Sequence, residues 1–274
     1  METRRMCPHC RAFITTSDRT CPYCNEAVAP PASRRSTGPI LGGLIPHAGF
    51  NTVIILIINF GLYVATSIVS MNSGHGGNAM NLDPYTLVDF GAMFQPAIQA
   101  GQWWRLVTAG FLHGGLFHIL MNSWVLFDLG AVVEEMYGSS RMLVIYFVSN
   151  AFGFYVSSLF KVGPSIGASA ALYGLIGCMI ALGLRHRGAF GDSIRGMFTR
   201  WLIFGLVMSL FGNIDMAAHV GGVIGGFGVG YLAGEPRHDG SLTEKLWRIA
   251  SWLCILITVV CFLEMYLWFA RSAQ

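Results

Sequence analysis

The sequence predicts an all-α polytopic membrane protein carrying a small metal-stapled head, and three observations carry that prediction. Of the 274 residues 54% are hydrophobic and only 11% are charged. A soluble globular chain is about a quarter charged, so water is not the main solvent of this one. The stretches between charges reach the roughly 20 apolar residues that a helix needs to cross a hydrocarbon layer. The first 29 residues differ from all the rest, being polar, short of aliphatics and home to Cys7, Cys10, Cys21 and Cys24. The net charge of +3 is dispersed, with no basic run interleaved with aromatics, so no nucleic-acid partner is expected. Thirty-four glycines, many inside the apolar runs, point to helices that approach closely where lipid supplies no hydrophobic drive.

Taken in order, residues 1–29 read as a zinc-ribbon. Cys7-Pro-His-Cys10 and Cys21-Pro-Tyr-Cys24 are two C-x-x-C knuckles, and four thiolates so spaced suit tetrahedral Zn²⁺ at roughly 2.3 Å. A pair of disulfides or a redox C-x-x-C is the other reading; the redox motif normally opens a helix in a βαβ setting, which is absent here. A segment this short needs such a staple, because below about 40 residues a core seldom holds a fold alone. The ribbon is read as a structural zinc site and a candidate for a protein partner. The first apolar run long enough for a leader starts near Phe50, so export of these cysteines by a cleaved leader is not expected. Residues 30–48, with Pro30-Pro31 and Arg34-Arg35, read as a linker.

Hydropathy predicts seven spans, at 50–70, 116–133, 142–160, 168–184, 197–211, 216–233 and 250–270, the fifth being the shortest. Fourteen of the seventeen Lys and Arg residues fall on the N-terminal side of the membrane in this arrangement, leaving Arg105, Lys161 and Arg271 on the other. The positive-inside rule therefore predicts a cytoplasmic N-terminus and ribbon, an external C-terminus, and residence in the plasma (inner) membrane. Reduced cysteines in that compartment favour a metal over a disulfide. Cys178, Cys254 and Cys261 read as small apolar packing residues.

Polar groups inside spans are costly and each needs a partner, a wet cavity or a function. His118 and Asn122 are four residues apart on one helical face, with His113 just before them. They read either as an interhelical clamp or as donors to an oxyanion. Ser169, in Gly167-Ala-Ser169-Ala-Ala-Leu-Tyr173, sits in the first turn of the fourth span with Tyr173 on the same face. It reads as a helix N-cap or as a nucleophile favoured by the helix N-terminus. His219 lies one turn into the sixth span, with Gly222 and Gly226 offering a flat groove to another helix. It reads as a histidine bonded to neighbouring backbone or as a base meeting Ser169. Under the predicted topology His118, Asn122, Ser169 and His219 all fall near the outer ends of their helices.

These residues resemble the rhomboid family of intramembrane serine proteases over about residues 50–235. The motifs stand in the family's order: Trp104-Arg105, His113 with His118 and Asn122, Glu134 with Gly138, Gly167-x-Ser169 with Tyr173, and Ala218-His219-x-x-Gly222-x-x-x-Gly226. The resemblance implies a six-helix membrane protease core at 49–234, to which this chain adds the ribbon and a loop and C-terminal span at 235–274. It implies Ser169 as nucleophile, His219 as general base, and His118, Asn122 and the Ser169 amide as the oxyanion hole. Tyr173 would pack beside the His219 ring, and His113 would hold the loop near the site. Trp104, Arg105 and Glu134 would be structural. Substrates would be transmembrane proteins in the bilayer, cut without a cofactor. With Asp128 and Glu134 near the opposite membrane face and Asp215 a turn before His219, no carboxylate is read as orienting the imidazole, and the site reads as a dyad. Trp201 and Phe204 of the fifth span read as lipid-facing anchors in preference to a moving wall.

Two other classes make different demands. A non-catalytic relative that binds client helices would be expected to lack Ser169 or His219, and both are present. A proton-relaying or metal-binding transporter would need acids deep in the bundle, and the spans hold few beyond Asp128 and Glu264.

Overall fold

A computed structural model describes residues 4–28 apart from 8, 16, 17, 19 and 27, and then 49–211, 214–236 and 241–272. The predicted linker lies outside these residues. The chain divides into two compact units, 1–44 and 45–274. The first holds a two-stranded antiparallel ribbon, β1 (Arg4–Met6) with β2 (Phe13–Thr15), pairing Met6 with Phe13.

The second unit is helical. It opens with α1 (Phe50–Asn72), 23 residues without a charge, about 35 Å long at 1.5 Å per residue and so able to cross a core of about 30 Å. Its buried residues, Thr52, Ile55, Asn59, Tyr63, Thr66, Ser67 and Ser70, recur every three or four positions. That stripe is mostly polar, while Ile57, Val64 and Ile68 are exposed. The pattern is the reverse of a soluble helix because lipid solvates the aliphatic face and the bundle hosts the polar one.

Residues 73–115 form a folded loop with three short helices, α2 (Pro84–Asp89), α3 (Gln95–Gln99) and α4 (Arg105–Thr108). Asp83 caps α2, accepting from the Tyr85 and Thr86 amides and the Thr86 hydroxyl, with Pro84 preset in the first turn. Burial pushes the Asp83 carboxyl up, but these bonds and one from His75 outweigh it and leave the carboxyl below its ordinary range. Arg105 is fully buried. Its guanidinium donates to Gln102 Oε1 at 2.7 Å and to the Ala92 carbonyl at 3.1 Å, and lies over the Trp104 ring at 4.5 Å.

The second span runs through α5 (Leu116–Val125), a π-helical stretch at Leu126–Gly130 and α6 (Ala131–Tyr137). Gly138, at φ +79°, turns the chain directly into α7 (Ser139–Phe160); a side chain at that position would be strained. Then follow α8 (Ser169–Arg185), α9 (Ala189–Met208), α10 (Met216–Ala233) and α11 (Leu242–Ser272).

Five of the seven predicted spans are helices long and apolar enough to cross a membrane: α1, α5–α6, α7, α10 and α11. The other two are helices of a different kind. α8 has 17 residues, of which thirteen are buried, so it is surrounded by protein and needs no lipid-matched length. α9 begins eight residues before the predicted fifth span, because its first half, with Asp192 and Arg195, is polar yet helical. Trp201 and Phe204 are exposed on it. The chain is thus a multi-pass membrane protein with a helical bundle. α11 lies along the bundle, its Phe262 edge-on to Phe111 and its Trp268 and Phe269 against Trp104 and Phe90. Glu244, in its first turn, takes a two-pronged bond from Arg141 at 2.6 and 2.7 Å.

Candidate active site

The contact between α8 and α10 positions the site. A Cβ on Gly222 would lie 2.0 Å from the Ala170 carbonyl oxygen, and one on Gly226 would lie 2.0 Å from that of Gly174. Only glycine admits an approach this close. The two helices therefore touch backbone to backbone, and their first turns, bearing Ser169 and His219, are brought together. Asp215 starts α10 by accepting from the Ala218 amide at 3.0 Å, and its other oxygen is bonded to the Ser157 hydroxyl.

His219 Nε2 lies 2.9 Å from Ser169 Oγ. Ser169 is the first residue of α8 and makes no capping bond; Ala168 occupies the cap position. The hydroxyl is thus directed across to the imidazole, in place of the N-cap role that was its other reading. As the first helical residue, Ser169 also carries one of the amides that have no acceptor inside the helix. Ser169 is half-buried and His219 is buried. The Tyr173 ring stacks on the imidazole at 4.0 Å between centroids and 19° between planes.

His118 and Asn122 come to the same place from α5. Gly167, two residues before Ser169, has φ +121°, and a Cβ there would lie 2.7 Å from His118 Nε2 and 3.6 Å from Asn122 Nδ2. His118 Nδ1 accepts from the Gly114 amide at 3.3 Å, so the ring proton sits on Nε2, the nitrogen facing this turn. Asn122 Nδ2 is buried without a hydrogen-bond partner among the described residues, which leaves it free to donate. The fully buried His113 ring packs edge-on to His118 at 5.1 Å. The strand leading to Ser169 is pinned to the first loop, Met93 and Ser165 exchanging backbone bonds of 3.0 and 2.8 Å.

Trp104, Arg105 and Glu134 lie away from this cluster. Arg105 and Trp104 tie the loop as described above. Glu134 accepts from the Asn51 and Thr52 amides at 3.3 Å each, the Thr52 hydroxyl at 3.1 Å and the Ser139 hydroxyl at 2.9 Å. It thereby caps the N-terminus of α1 from another helix, with its charge at the positive end of the dipole.

One residue in the cluster was not singled out from the sequence. Ser209, at the C-terminal cap of α9, has its Oγ 2.9 Å from His219 Nδ1 and 3.2 Å from the Tyr173 hydroxyl. The available signal was a lone hydroxyl at the end of an apolar span ten residues before His219.

In the N-terminal unit the four sulfurs of Cys7, Cys10, Cys21 and Cys24 lie within 4.8 Å of one another, with Cys7 and Cys24 at 3.8 Å and Cys10 and Cys21 at 3.7 Å. Sulfurs about 2.3 Å from a central ion at the corners of a tetrahedron are about 3.8 Å apart, so the set fits a tetrahedral metal. The pairs are too far apart for S–S bonds. The two knuckles repeat one geometry: Arg11 N–H bonds the Cys7 carbonyl and Asn25 N–H that of Cys21, both at 2.9 Å, and Arg11 and Asn25 both have positive φ. The Cys10 amide, directed at Cys7, holds that thiol down to about 6.

Comparison with known proteins gives the family. Residues 100–236 match the family model described as Rhomboid domain. The rhomboid protease GluP of Bacillus subtilis (strain 168) is 38% identical over 164 residues, covering 58% of this chain and 32% of that protein. Rhomboid-like protease 1 of Toxoplasma gondii is 31% identical over 243 residues, covering 81% of this chain and 78% of that protein. Rhomboid-like protease 2 of the same organism is 36% identical over 186 residues, 66% of this chain and 65% of that protein. The chain thus spans about a third of the first relative's length and larger shares of the other two. By the matched domain and the extent of the second relative, the chain belongs to the rhomboid family.

Proposed function

We propose that the chain is an intramembrane serine endopeptidase that cleaves transmembrane segments of membrane proteins, with Ser169 as nucleophile and His219 as general base. The observation that carries this reading is the 2.9 Å approach of His219 Nε2 to Ser169 Oγ between two helices. As Ser169 Oγ attacks the scissile carbonyl, its proton passes to Nε2, and the carbonyl oxygen becomes an oxyanion. Asn122 Nδ2, His118 Nε2–H and the Ser169 amide are its donors. The imidazolium then protonates the leaving amine, and water hydrolyses the acyl-enzyme by the same two steps. A helical substrate has its carbonyls engaged, so it must unwind locally, which favours small or helix-destabilising residues near the cut.

The charge distribution supports an orientation with the N-terminus in the cytoplasm and the site toward the outer face of the plasma membrane. Cys7, Cys10, Cys21 and Cys24 hold a structural Zn²⁺ that takes no part in catalysis, and the ribbon so formed is a candidate surface for a protein partner. About one zinc per chain, lost in the Cys7→Ser/Cys21→Ser double variant, is the expected metal analysis; unchanged content in that variant contradicts the assignment. Incubating the purified protein with a panel of single-span substrates tests the activity. Cleavage by wild type and none by folded Ser169→Ala is expected, and equal cleavage by both would remove the proposed nucleophile.

A further inference from the structure

We infer that Ser209 is the positioning residue of the Ser169–His219 pair, holding the imidazole in the tautomer that keeps Nε2 free to take the serine proton. The inference rests on the reading of those two residues as nucleophile and base. A count of hydrogens supports it. A serine hydroxyl has one proton to give and two lone pairs with which to accept. Ser209 Oγ lies 2.8 Å from the Gly205 carbonyl oxygen, which can only accept. The proton of Ser209 is committed there, so toward its other two neighbours it is an acceptor.

Those neighbours are His219 Nδ1 at 2.9 Å and the Tyr173 hydroxyl at 3.2 Å. Both are able to donate, and together with the bond to Gly205 they fill the hydroxyl's capacity. Nδ1 therefore carries the single proton of the neutral ring. Nε2 is left with its lone pair directed at Ser169 Oγ, 2.9 Å away. The opposite tautomer would set the Nδ1 lone pair against that of Ser209, or would require Ser209 to turn its proton away from Gly205.

The surroundings hold this geometry in place. Ser209 is buried and caps α9, so its backbone is anchored by its own amide bond to Gly205 at 2.9 Å. A Cβ at Gly205 would fall 2.5 Å from the Tyr173 hydroxyl oxygen, so the glycine lets Tyr173 reach Ser209 while stacking on the ring. In soluble triads a carboxylate sets the imidazole tautomer. Here the acid nearest in sequence, Asp215, is engaged by the Ser157 hydroxyl and the Ala218 amide. When Nε2 accepts the serine proton the ring becomes cationic, and the Nδ1–H bond to Ser209 becomes charge-assisted and stronger. The contact thus contributes more in the transition state than in the ground state, and its loss should appear in kcat.

The test uses the full chain in detergent, with kcat and KM on a single-span substrate. It adds ¹⁵N resonances of the His219 ring, assigned by their disappearance in His219→Gln. For Ser209→Ala we expect kcat to fall about 10- to 100-fold, the range for a bond to a charged group, with KM unchanged and with most of the loss recovered in Ser209→Thr. The wild-type ring should show protonated Nδ1 and unprotonated Nε2, and Ser209→Ala a mixture. Wild-type kcat in Ser209→Ala, a threonine variant no better than alanine, or protonated Nε2 in the wild type would overturn the inference. The resonances of wild type and Ser209→Ala need no turnover. They judge Ser209 even if wild type and Ser169→Ala cleave alike, the result that would sink the nucleophile reading itself.

Discussion

The two ends of the bundle are built from the same helices and treat buried polar groups in opposite ways. At the end where α6 meets α7, Glu134 accepts four hydrogen bonds and Arg141 is engaged by Glu244 through both terminal nitrogens. Tyr137 donates to the Cys178 carbonyl at 2.7 Å. These groups are bonded to other helices, and what they do is hold helices together. At the other end Asn122 Nδ2 has no partner among the described residues, the His118 proton faces a glycine turn, and Ser169 is only half-buried. Buried polar groups are normally satisfied, and here an unpaired amide, a ring N–H and a hydroxyl converge on one turn, where a reacting group can complete them.

Three substitutions sharpen that contrast, and the first should have the largest effect. Ser169→Ala should lower kcat on the order of 10⁶-fold, as loss of the nucleophile does in a soluble serine protease, with the thermal midpoint nearly unchanged. Asn122→Ala should cost about 10²–10³ in kcat, again with little effect on stability. A large fall in the midpoint with kcat preserved would make Asn122 an interhelical clamp instead. At the Arg141 end the readouts exchange places. Arg141→Ala removes the two-pronged bond to Glu244 and should cost about 1–3 kcal/mol of stability, seen as a lowered midpoint. kcat measured well below that midpoint should be close to wild type. A large kcat defect in that variant would break the division between the two ends.

What could be read in advance follows the range of the interactions. Ser169 with Tyr173, and His118 with Asn122, share a helix and a face, so their spacing is visible in the chain. The glycines at 222 and 226 announce a groove, and the groove explains why α8 is the helix beside α10. Ser209 was not legible, because its role depends on where α9 stops. Hydropathy continues the fifth span to residue 211, whereas the helix ends at Met208 and frees Ser209 to cap it. The bond from Glu134 to the start of α1 joins residues 82 or 83 apart in sequence, and the Arg141–Glu244 pair is 103 apart; neither leaves a periodic trace. The early start of α9 was hidden for another reason, since hydropathy reports solvent and its first two turns are helical but polar.

The claim beneath this account is that one serine, made nucleophilic by one histidine from a neighbouring helix, does the chemistry. Treating the detergent-solubilised protein with a fluorophosphonate and mapping the adduct by peptide mass spectrometry tests it most directly. The account predicts a single phosphonylated residue, Ser169, with labelling abolished in Ser169→Ala and strongly slowed in His219→Ala. Labelling that persists in Ser169→Ala, or an intact folded protein that takes up no probe, would contradict it.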